Sequence, residues 1–220
     1  MVTFSAVLFD LDGTLHDRAE TVRRYLAGHV RRFDLPEGYA ERWTVLDDLG
    51  YHSKPEVFPQ LVAEFGLKHD PQVLLQDFGD HAWADCQLMP HSHEVLAELR
   101  QCGLKLGIIT NGWSEKQLQA LGGLGLTHLF DDVVVSETVG LRKPDPAIFH
   151  LALSRLDVQP HEALYVGDSP TNDVAGPQSA GMKAALFPGG HALPEHIKPD
   201  YVLKDLRGVL NIVQGHTPSG

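Results

Sequence analysis

The stretch from Ser5 to Leu15 reads SAVLFDLDGTL, a short apolar run that ends abruptly in a polar segment. Such a run is typical of a strand buried on both faces of a parallel sheet, with a loop at its carboxyl end. Asp10 and Asp12 in that loop are two positions apart. In extended backbone this spacing turns both side chains to the same side. The stretch therefore predicts a buried strand that delivers two carboxylates to one edge of a sheet.

The same pattern recurs along the chain, with helical periodicity between the apolar runs. The predicted strands cover residues 5–9, 104–109, 133–135, 163–166, 184–187 and 201–203. The predicted helices cover residues 92–103, 114–121, 146–156 and 172–180. Asp145 is the expected N-cap of the third helix, with Pro146 at its first position. This alternation predicts an α/β fold, a Rossmann-like parallel sheet flanked by helices.

One segment, from His16 to Met89, interrupts this alternation because no part of it reads as a convincing strand. Apolar residues recur at helical spacing in three of its stretches, 19–33, 56–65 and 71–85. The aromatic residues Trp43, Phe58 and Trp83 are expected in the core of this segment. The expected domains are an α/β core, 1–15 and 90–214, an all-helical insertion, 16–89, and a flexible tail, 215–220.

The composition limits what the protein can be. The chain has 220 residues, of which 43% are hydrophobic, so it is long and apolar enough to bury a sizeable core. A net charge of −11 argues against nonspecific binding to nucleic acid. No apolar run reaches the ~20 residues of a membrane span, and the N-terminus does not resemble a signal peptide. Only two cysteines are present, Cys86 and Cys102, so we expect a cytoplasmic protein.

Polar residues collect where the predicted strands end, which is where ligands bind in open parallel sheets. The strand ends carry Asp10 and Asp12, Thr110 and Asn111, Lys143, and Asp168 and Asp173. Four carboxylates on one rim repel each other unless a cation compensates, and Mg²⁺ suits such oxygen ligands. The lysine, the threonine hydroxyl and the backbone N–H groups of Asn111 and Gly112 are suited to bind an anion. Together they predict a site for phosphoryl transfer.

Four motifs in the chain resemble those of the haloacid dehalogenase-like (HAD) hydrolase superfamily, and they occur in the family's order. They are FDLDGTL at 9–15, TNG at 110–112, KPD at 143–145 and GDSPTNDVAG at 167–176. The motifs span most of the chain, and the first and fourth are individually specific. The resemblance implies the family's α/β core, and it makes the helical insertion similar to the small cap placed between the first two motifs.

The resemblance also implies roles for the reacting groups. Asp10 resembles the nucleophile that becomes an aspartyl-phosphate. Asp12 resembles the general acid that protonates the leaving oxygen and then the base that activates water. Thr110 and Lys143 resemble the groups that hold the transferring phosphoryl, together with the turn at Asn111 and Gly112.

The implied cofactor is Mg²⁺, with Asp10, Asp12, Asp168 and Asp173 as the metal-binding set. Asp12 is expected to contribute its backbone carbonyl, and Asp168 resembles the direct carboxylate ligand. Asp173 resembles the residue that orients a metal-bound water, with direct ligation as the alternative.

The second aspartate of the first motif separates branches of this superfamily. The dehalogenase branch usually lacks it, and the transport-ATPase branch has lysine there, so Asp12 favours a phosphatase acting on a small phosphorylated metabolite. A phosphomutase keeps the same aspartate pair and stays open. A signalling receiver domain is a non-enzymatic alternative, against which the helical insertion and Asp12 both argue. The substrate, the oligomeric state and the roles of His16 and Trp113 are not readable from the sequence.

Overall fold

The structure is a computed structural model that describes residues 3–187 and 189–215. The chain forms two compact units. One unit comprises the chain up to Asp17 and from Leu88 onward, and the other comprises Arg18–Gln87. The predicted tail at 215–220 lies outside the described residues, apart from Gly215.

The first unit is built on a six-stranded sheet in the order β3-β2-β1-β4-β5-β6, in which all paired strands are parallel. The strands are β1 (Ala6–Phe9), β2 (Lys105–Thr110), β3 (Asp132–Val135), β4 (Ala163–Gly167), β5 (Lys183–Leu186) and β6 (Tyr201–Val202). All six predicted strands are confirmed, each end lying within one residue of the prediction. The α/β class and the parallel sheet are therefore confirmed.

The central strand β1 sets the position of the site. Phe9, its last residue, is in register with Ile108 of β2 and with Val166 of β4. The three strands consequently end at nearly the same level, and Asp10, Thr110 and Asp168 come at or just after these ends. Because the chain crosses to opposite sides of β1, this edge is the point at which a parallel sheet opens a ligand crevice.

The second unit contains four α-helices: α1 (Arg18–Phe33), α2 (Tyr39–Asp47), α3 (Lys54–Phe65) and α4 (Pro71–His81). A short 3₁₀ turn, Asp48–Gly50, follows α2. Helix α2 was not predicted, because it starts after Gly38 without a side-chain cap. The predicted helix over 71–85 is too long, since α4 ends at His81. Trp43 and Phe58 are fully buried in the core of this unit and Trp83 packs against it, as expected.

The boundary between the units differs from the predicted insertion, 16–89, by two residues at each end. His16 forms backbone bridges with Asp12 and Leu88. The N–H of Met89 donates to the carbonyl of Leu15 at 2.8 Å. These hydrogen bonds tie both ends of the insertion to the loop that carries the first motif, so those residues belong to the α/β unit.

The remaining α-helices of the α/β unit are α5 (Ser92–Gln101), α6 (Ser114–Gly123), α7 (Ser136–Val139), α8 (Pro146–Leu156), α9 (Gly176–Ser179) and α10 (Gly208–Val213). Short 3₁₀ turns occupy Thr127–Leu129 and Pro160–Glu162. The N-cap of α8 is confirmed, because Asp145 accepts a hydrogen bond from the N–H of Ala147 at 2.9 Å. In the described ranges no helix has the length and apolar character needed to cross a membrane.

The helix predicted at 172–180 differs from the structure in kind. A π-helix, Pro170–Ala175, precedes the short helix α9. The N–H of Asp173 donates to the carbonyl of Ser169 at 2.7 Å, and the Asp173 carboxylate accepts from the N–H of Ser169 at 2.9 Å. These reciprocal bonds fold the chain back over the end of β4, and a π-helical turn at such a place is often associated with a functional site.

Candidate active site

Three carboxylates lie together at the carboxyl edge of the sheet. Asp10 follows β1, Asp168 follows β4, and Asp173 lies in the π-helix. One oxygen from each lies within 4.8 Å of the others. Asp10 and Asp173 are buried, whereas Asp168 is partly exposed. The sheet thus brings together carboxylates that are widely separated in the sequence.

Lys143 lies among these carboxylates. Its Nζ donates to Asp10 Oδ1 at 2.7 Å and to Asp173 Oδ1 at 2.6 Å. It also donates to the hydroxyl of Tyr165 at 2.9 Å, and that hydroxyl donates onward to the carbonyl of Ile109 at 2.8 Å. Burial alone would lower the pKa of Lys143, but Asp10 and Asp173 raise it well above its usual value. The buried lysine is therefore a fixed positive charge with three acceptors.

The electrostatics of this cluster favour a cation. Burial, with the neighbouring aspartates, raises the pKa of Asp10 well above its usual value, although Lys143 opposes this. Burial and then Asp173 raise the pKa of Asp168 to about 7. With all three carboxylates ionised, one ammonium leaves two negative charges unbalanced. An all-oxygen donor set with this charge fits a hard divalent ion such as Mg²⁺.

Glycines make room for the Asp168 carboxylate. A Cβ at Gly13 would overlap its oxygen Oδ2, and so would a Cβ at Gly189. Gly13 also has a φ of 82°, in the left-handed region that side chains disfavour. The glycine of the first motif thus serves both the turn after β1 and the close approach of a carboxylate from β4.

The side chain of Asp12 is not a member of the three-carboxylate group. Its Oδ1 lies 2.6 Å from Nδ1 of His16, and its Oδ2 accepts from Nε2 of Gln117 at 3.0 Å. The predicted metal contact of Asp12 concerns its backbone carbonyl and stays a prediction. The Asp12 side chain is 26% exposed, so it is anchored on the protein side and reachable from solvent.

The turn at 110–112 serves partly to hold the lysine loop. Asn111 Oδ1 accepts from the N–H of Lys143 at 2.9 Å, and Asn111 Nδ2 donates to the carbonyl of Lys143 at 3.0 Å. The Thr110 hydroxyl donates to Gln117 Oε1 at 2.8 Å. The N–H of Gly112 donates to Ser136 Oγ at 3.0 Å, so an anion at this turn would have to share or replace that bond.

The sequence reasoning missed three contributors to the site: the bond of His16 to Asp12, the side chain of Gln117, and the hydroxyl of Tyr165. His16 is fully buried, whereas Trp113 is 73% exposed. Gln117 occupies a buried position of α6 shared with Ala120 and Leu121. A polar residue on such an apolar face is the signal that could have identified Gln117.

A comparison with protein-family models agrees with this geometry. The model described as haloacid dehalogenase-like hydrolase matches residues 7–187. The chain belongs to this family. The matched range extends from β1 to just beyond β5, so it includes the strand ends described above.

Named relatives place the chain in the phosphatase branch of the HAD family. A glyceraldehyde 3-phosphate phosphatase of Methanopyrus kandleri is 36% identical over 226 residues, covering 95% of this chain and 97% of the relative. The pyrophosphatase PpaX of Bacillus velezensis is 34% identical, covering 94% and 95% of the two chains. The chain is accordingly a HAD-like hydrolase of phosphoric esters.

Solved structures share the fold of this HAD chain. The HAD-hydrolase YfnB of Bacillus subtilis, solved bound to magnesium, superposes with a TM-score of 0.83 at 25% identity. The superposition covers 96% of this chain and 99% of the YfnB chain. The similarity therefore extends over nearly the whole of both chains.

Proposed function

We propose that this chain is a Mg²⁺-dependent phosphatase that hydrolyses a small phosphorylated metabolite through an aspartyl-phosphate on Asp10. The observation that carries the proposal is the buried arrangement of Asp10, Lys143 and Asp173, with Asp168 beside them. Asp12 lies two residues after Asp10 and is anchored separately. A nucleophile, a fixed cation, a metal-binding group and an acid–base group are thus available at one sheet edge.

In the first step, a carboxylate oxygen of Asp10 attacks phosphorus while the bond from phosphorus to the leaving oxygen breaks. Asp12 gives its proton to that oxygen, which leaves as an alcohol. Lys143 offsets the negative charge of Asp10 and of the phosphoryl oxygens. The Thr110 hydroxyl breaks its hydrogen bond to Gln117 and donates a hydrogen bond to a phosphoryl oxygen instead.

In the second step, water attacks phosphorus and the bond from phosphorus to Asp10 breaks, which releases inorganic phosphate. Asp12, now ionised, takes the proton of the attacking water. Asp10, Asp168, Asp173 and the backbone carbonyl of Asp12 are the groups that would hold Mg²⁺. When bound, Mg²⁺ neutralises carboxylate and phosphate charge and orients the phosphoryl group.

The names of relatives support the proposed substrate class, and the helical unit is the part of the chain to which we assign its selection. Relatives are named for glyceraldehyde 3-phosphate, phosphoserine and pyrophosphate, which are all small phosphate compounds. We assign to the helical unit Arg18–Gln87 the role of a cap that selects the leaving group. Neither nucleic acid nor a membrane is a proposed partner.

A cytoplasmic location is part of this proposal. Cys86 and Cys102 are both free thiols, which suits a reducing compartment.

A phosphate-release screen tests the proposed function. Purified protein with Mg²⁺ is assayed on sugar phosphates, phosphoglycolate, phosphoserine, glyceraldehyde 3-phosphate, nucleoside monophosphates and pyrophosphate, with Asp10→Asn as the control. We expect release from at least one of these compounds by the wild type and none by the variant. Isomerisation of a sugar phosphate that requires a bisphosphate activator, with slow net hydrolysis, would instead indicate a phosphomutase.

A further inference from the structure

Both oxygens of the Asp12 carboxylate are held by side chains that lie deeper in the protein. His16, which is fully buried, approaches Oδ1 to 2.6 Å. Gln117, which is 8% exposed, donates to Oδ2 at 3.0 Å from a position 105 residues away. A carboxylate can accept about four hydrogen bonds, so these two bonds do not use up its capacity to exchange a proton.

Gln117 joins Asp12 to a second group of the proposed site. The Thr110 hydroxyl at the end of β2 donates to Gln117 Oε1 at 2.8 Å. The amide NH₂ faces Asp12 as the donor, which leaves the amide oxygen to accept from Thr110. One buried amide thus bridges the proposed acid–base group and the proposed phosphate ligand.

The backbone around Gln117 leaves room for this bridge. Gly112 has a φ of 144°, and a Cβ built on it would lie 2.9 Å from Gln117 Nε2. The amide therefore passes against the backbone of the turn that also carries Thr110. Helix α6 begins directly after this turn, and the N–H of Gln117 closes its first bond with the carbonyl of Trp113 at 3.0 Å.

We propose that Gln117 is a positioning residue that holds the Asp12 carboxylate in the orientation needed for proton transfer to and from the leaving oxygen. The inference rests on the proposed phosphatase function and adds a residue to it. The contact with His16 holds one oxygen and the bond from Gln117 holds the other, so the two together fix the plane of the carboxylate. A misplacement of about 1 Å at a reacting group costs about 100-fold in rate, so this anchor has a measurable effect.

A merely structural role for Gln117 predicts a different pattern of losses. If the amide only satisfies a buried position of α6, its removal lowers the rate equally for every substrate. If it acts through Asp12, its removal is most harmful when the leaving oxygen needs a proton. Aryl phosphates such as p-nitrophenyl phosphate need little help, because their leaving group is already acidic. Alkyl phosphates such as glycerol 2-phosphate depend on the acid.

The test compares Gln117→Met with Gln119→Met. The two glutamines lie in the same helix, but Gln119 is exposed, so the second variant is a matched control. We measure kcat/KM for p-nitrophenyl phosphate and for glycerol 2-phosphate with Mg²⁺ present. For Gln117→Met we expect the ratio of alkyl to aryl activity to fall roughly 10-fold or more. For Gln119→Met we expect the ratio of the wild type.

The Tm of each variant shows whether it is folded, and the rise in Tm that Mg²⁺ produces shows whether it still binds the metal. If Gln117→Met is unfolded, Gln117→Asn replaces it, since this shorter amide cannot span both partners. An unchanged ratio, or equal losses on both substrates in a folded variant that still responds to Mg²⁺, would overturn the positioning role while leaving the phosphatase function standing. If the wild type does not hydrolyse glycerol 2-phosphate, an alkyl phosphate that it hydrolyses in the screen above takes its place. Failure of the wild type to release phosphate from any compound of that screen would instead contradict the proposed function, and the inference with it.

Discussion

Lys143 Nζ donates to Asp10 Oδ1 at 2.7 Å, although the two residues lie 133 positions apart in the chain. Both side chains are nearly inaccessible, so the pair is an ion pair shielded from water. Removal of one partner would leave the other charge buried and unbalanced, which typically costs about 3–5 kcal/mol. The proposed nucleophile is therefore bound to its counter-charge before any substrate arrives.

The two aspartates of the first motif have separable roles. Asp10→Asn removes the nucleophile, so we expect neither turnover nor a phosphoenzyme with any substrate. Asp12→Asn keeps the nucleophile and the metal-binding carboxylates but lacks the acid and base. For alkyl phosphates we expect a loss of about 10²–10⁴-fold. With p-nitrophenyl phosphate Asp10 should still be phosphorylated slowly, and the phosphoenzyme should accumulate because the base of the second step is missing.

Acid-quench mass spectrometry is the measurement for this pair of variants. It should detect one added phosphoryl group on the peptide that contains Asp10 in Asp12→Asn, and none in Asp10→Asn. Turnover of alkyl phosphates by Asp12→Asn at nearly the wild-type rate would show that the acid–base role belongs to another residue.

The divalent ion should be required for activity. The carboxylates of Asp10, Asp168 and Asp173 repel one another, and the ammonium of Lys143 balances only one of their three negative charges. EDTA should therefore abolish phosphate release, and Mg²⁺ should restore it. Ca²⁺ should support activity poorly, because its larger and looser coordination shell alters the approach of the nucleophile. Full activity in an excess of chelator would contradict the assignment of this group to a metal.

Stabilisation by Mg²⁺ should grow as the pH rises. In the metal-free chain, burial first and then Asp173 raise the pKa of Asp168 from 3.8 to about 7. The folded state thus holds a proton that the unfolded state releases, so this group makes the metal-free chain less stable as pH rises from about 4 to 7. Mg²⁺ competes with that proton. Calorimetry should show a larger Mg²⁺-induced rise in Tm at pH 8 than at pH 6, and no such rise in Asp168→Asn at either pH.

We expect the Tyr165 hydroxyl to affect both stability and activity through its hydrogen bond with Lys143. It accepts from Lys143 Nζ at 2.9 Å and donates to Ile109, so Tyr165→Phe leaves an ammonium proton and a carbonyl without their partner. We expect a loss of about 1–3 kcal/mol in the free energy of unfolding. Activity should fall to a similar extent on alkyl and aryl phosphates, since Lys143 acts on the phosphoryl group. Tyr201→Phe, at a partly exposed strand position, is the control and should change neither quantity.

The sheet was predictable from the sequence because its strands are buried. A strand covered on both faces must be apolar along its length, as in Ala6–Phe9, and the polar loops after such runs mark their carboxyl ends. The helical unit was harder to predict. Helix α2 starts at a glycine with no capping side chain and carries a mixed pattern, so neither its start nor its face is marked in the sequence.

The clustering of the candidate residues was predictable from the sequence, but their individual contacts were not. Asp10, Lys143 and Asp168 are marked by motif and strand end, and the structure brings them together. The contributions of Gln117 and Tyr165 depend on which buried polar atom each side chain reaches, and that is decided by packing across the sheet. Periodicity indicates only that a residue is buried, so such contacts cannot be read from one sequence.

The last prediction concerns the helical unit, whose stability should depend on His29. This residue is fully buried, its Nδ1 lies 2.7 Å from Asp77 Oδ2, and its Nε2 has no hydrogen-bond partner among the described residues. Burial lowers the pKa of His29 below its usual 6.5, although Asp77 opposes this shift. Below about pH 6.5 the unfolded chain therefore binds a proton on His29 that the folded chain excludes. As a result, the free energy of unfolding is at its full value above about pH 6.5 and decreases as the pH falls. The Tm of the wild type should fall more steeply than that of His29→Gln between pH 7.5 and 5.5, whereas His150→Gln, at an exposed position of α8, should follow the wild type. Parallel pH profiles for the wild type and His29→Gln would show that His29 is not the titrating group.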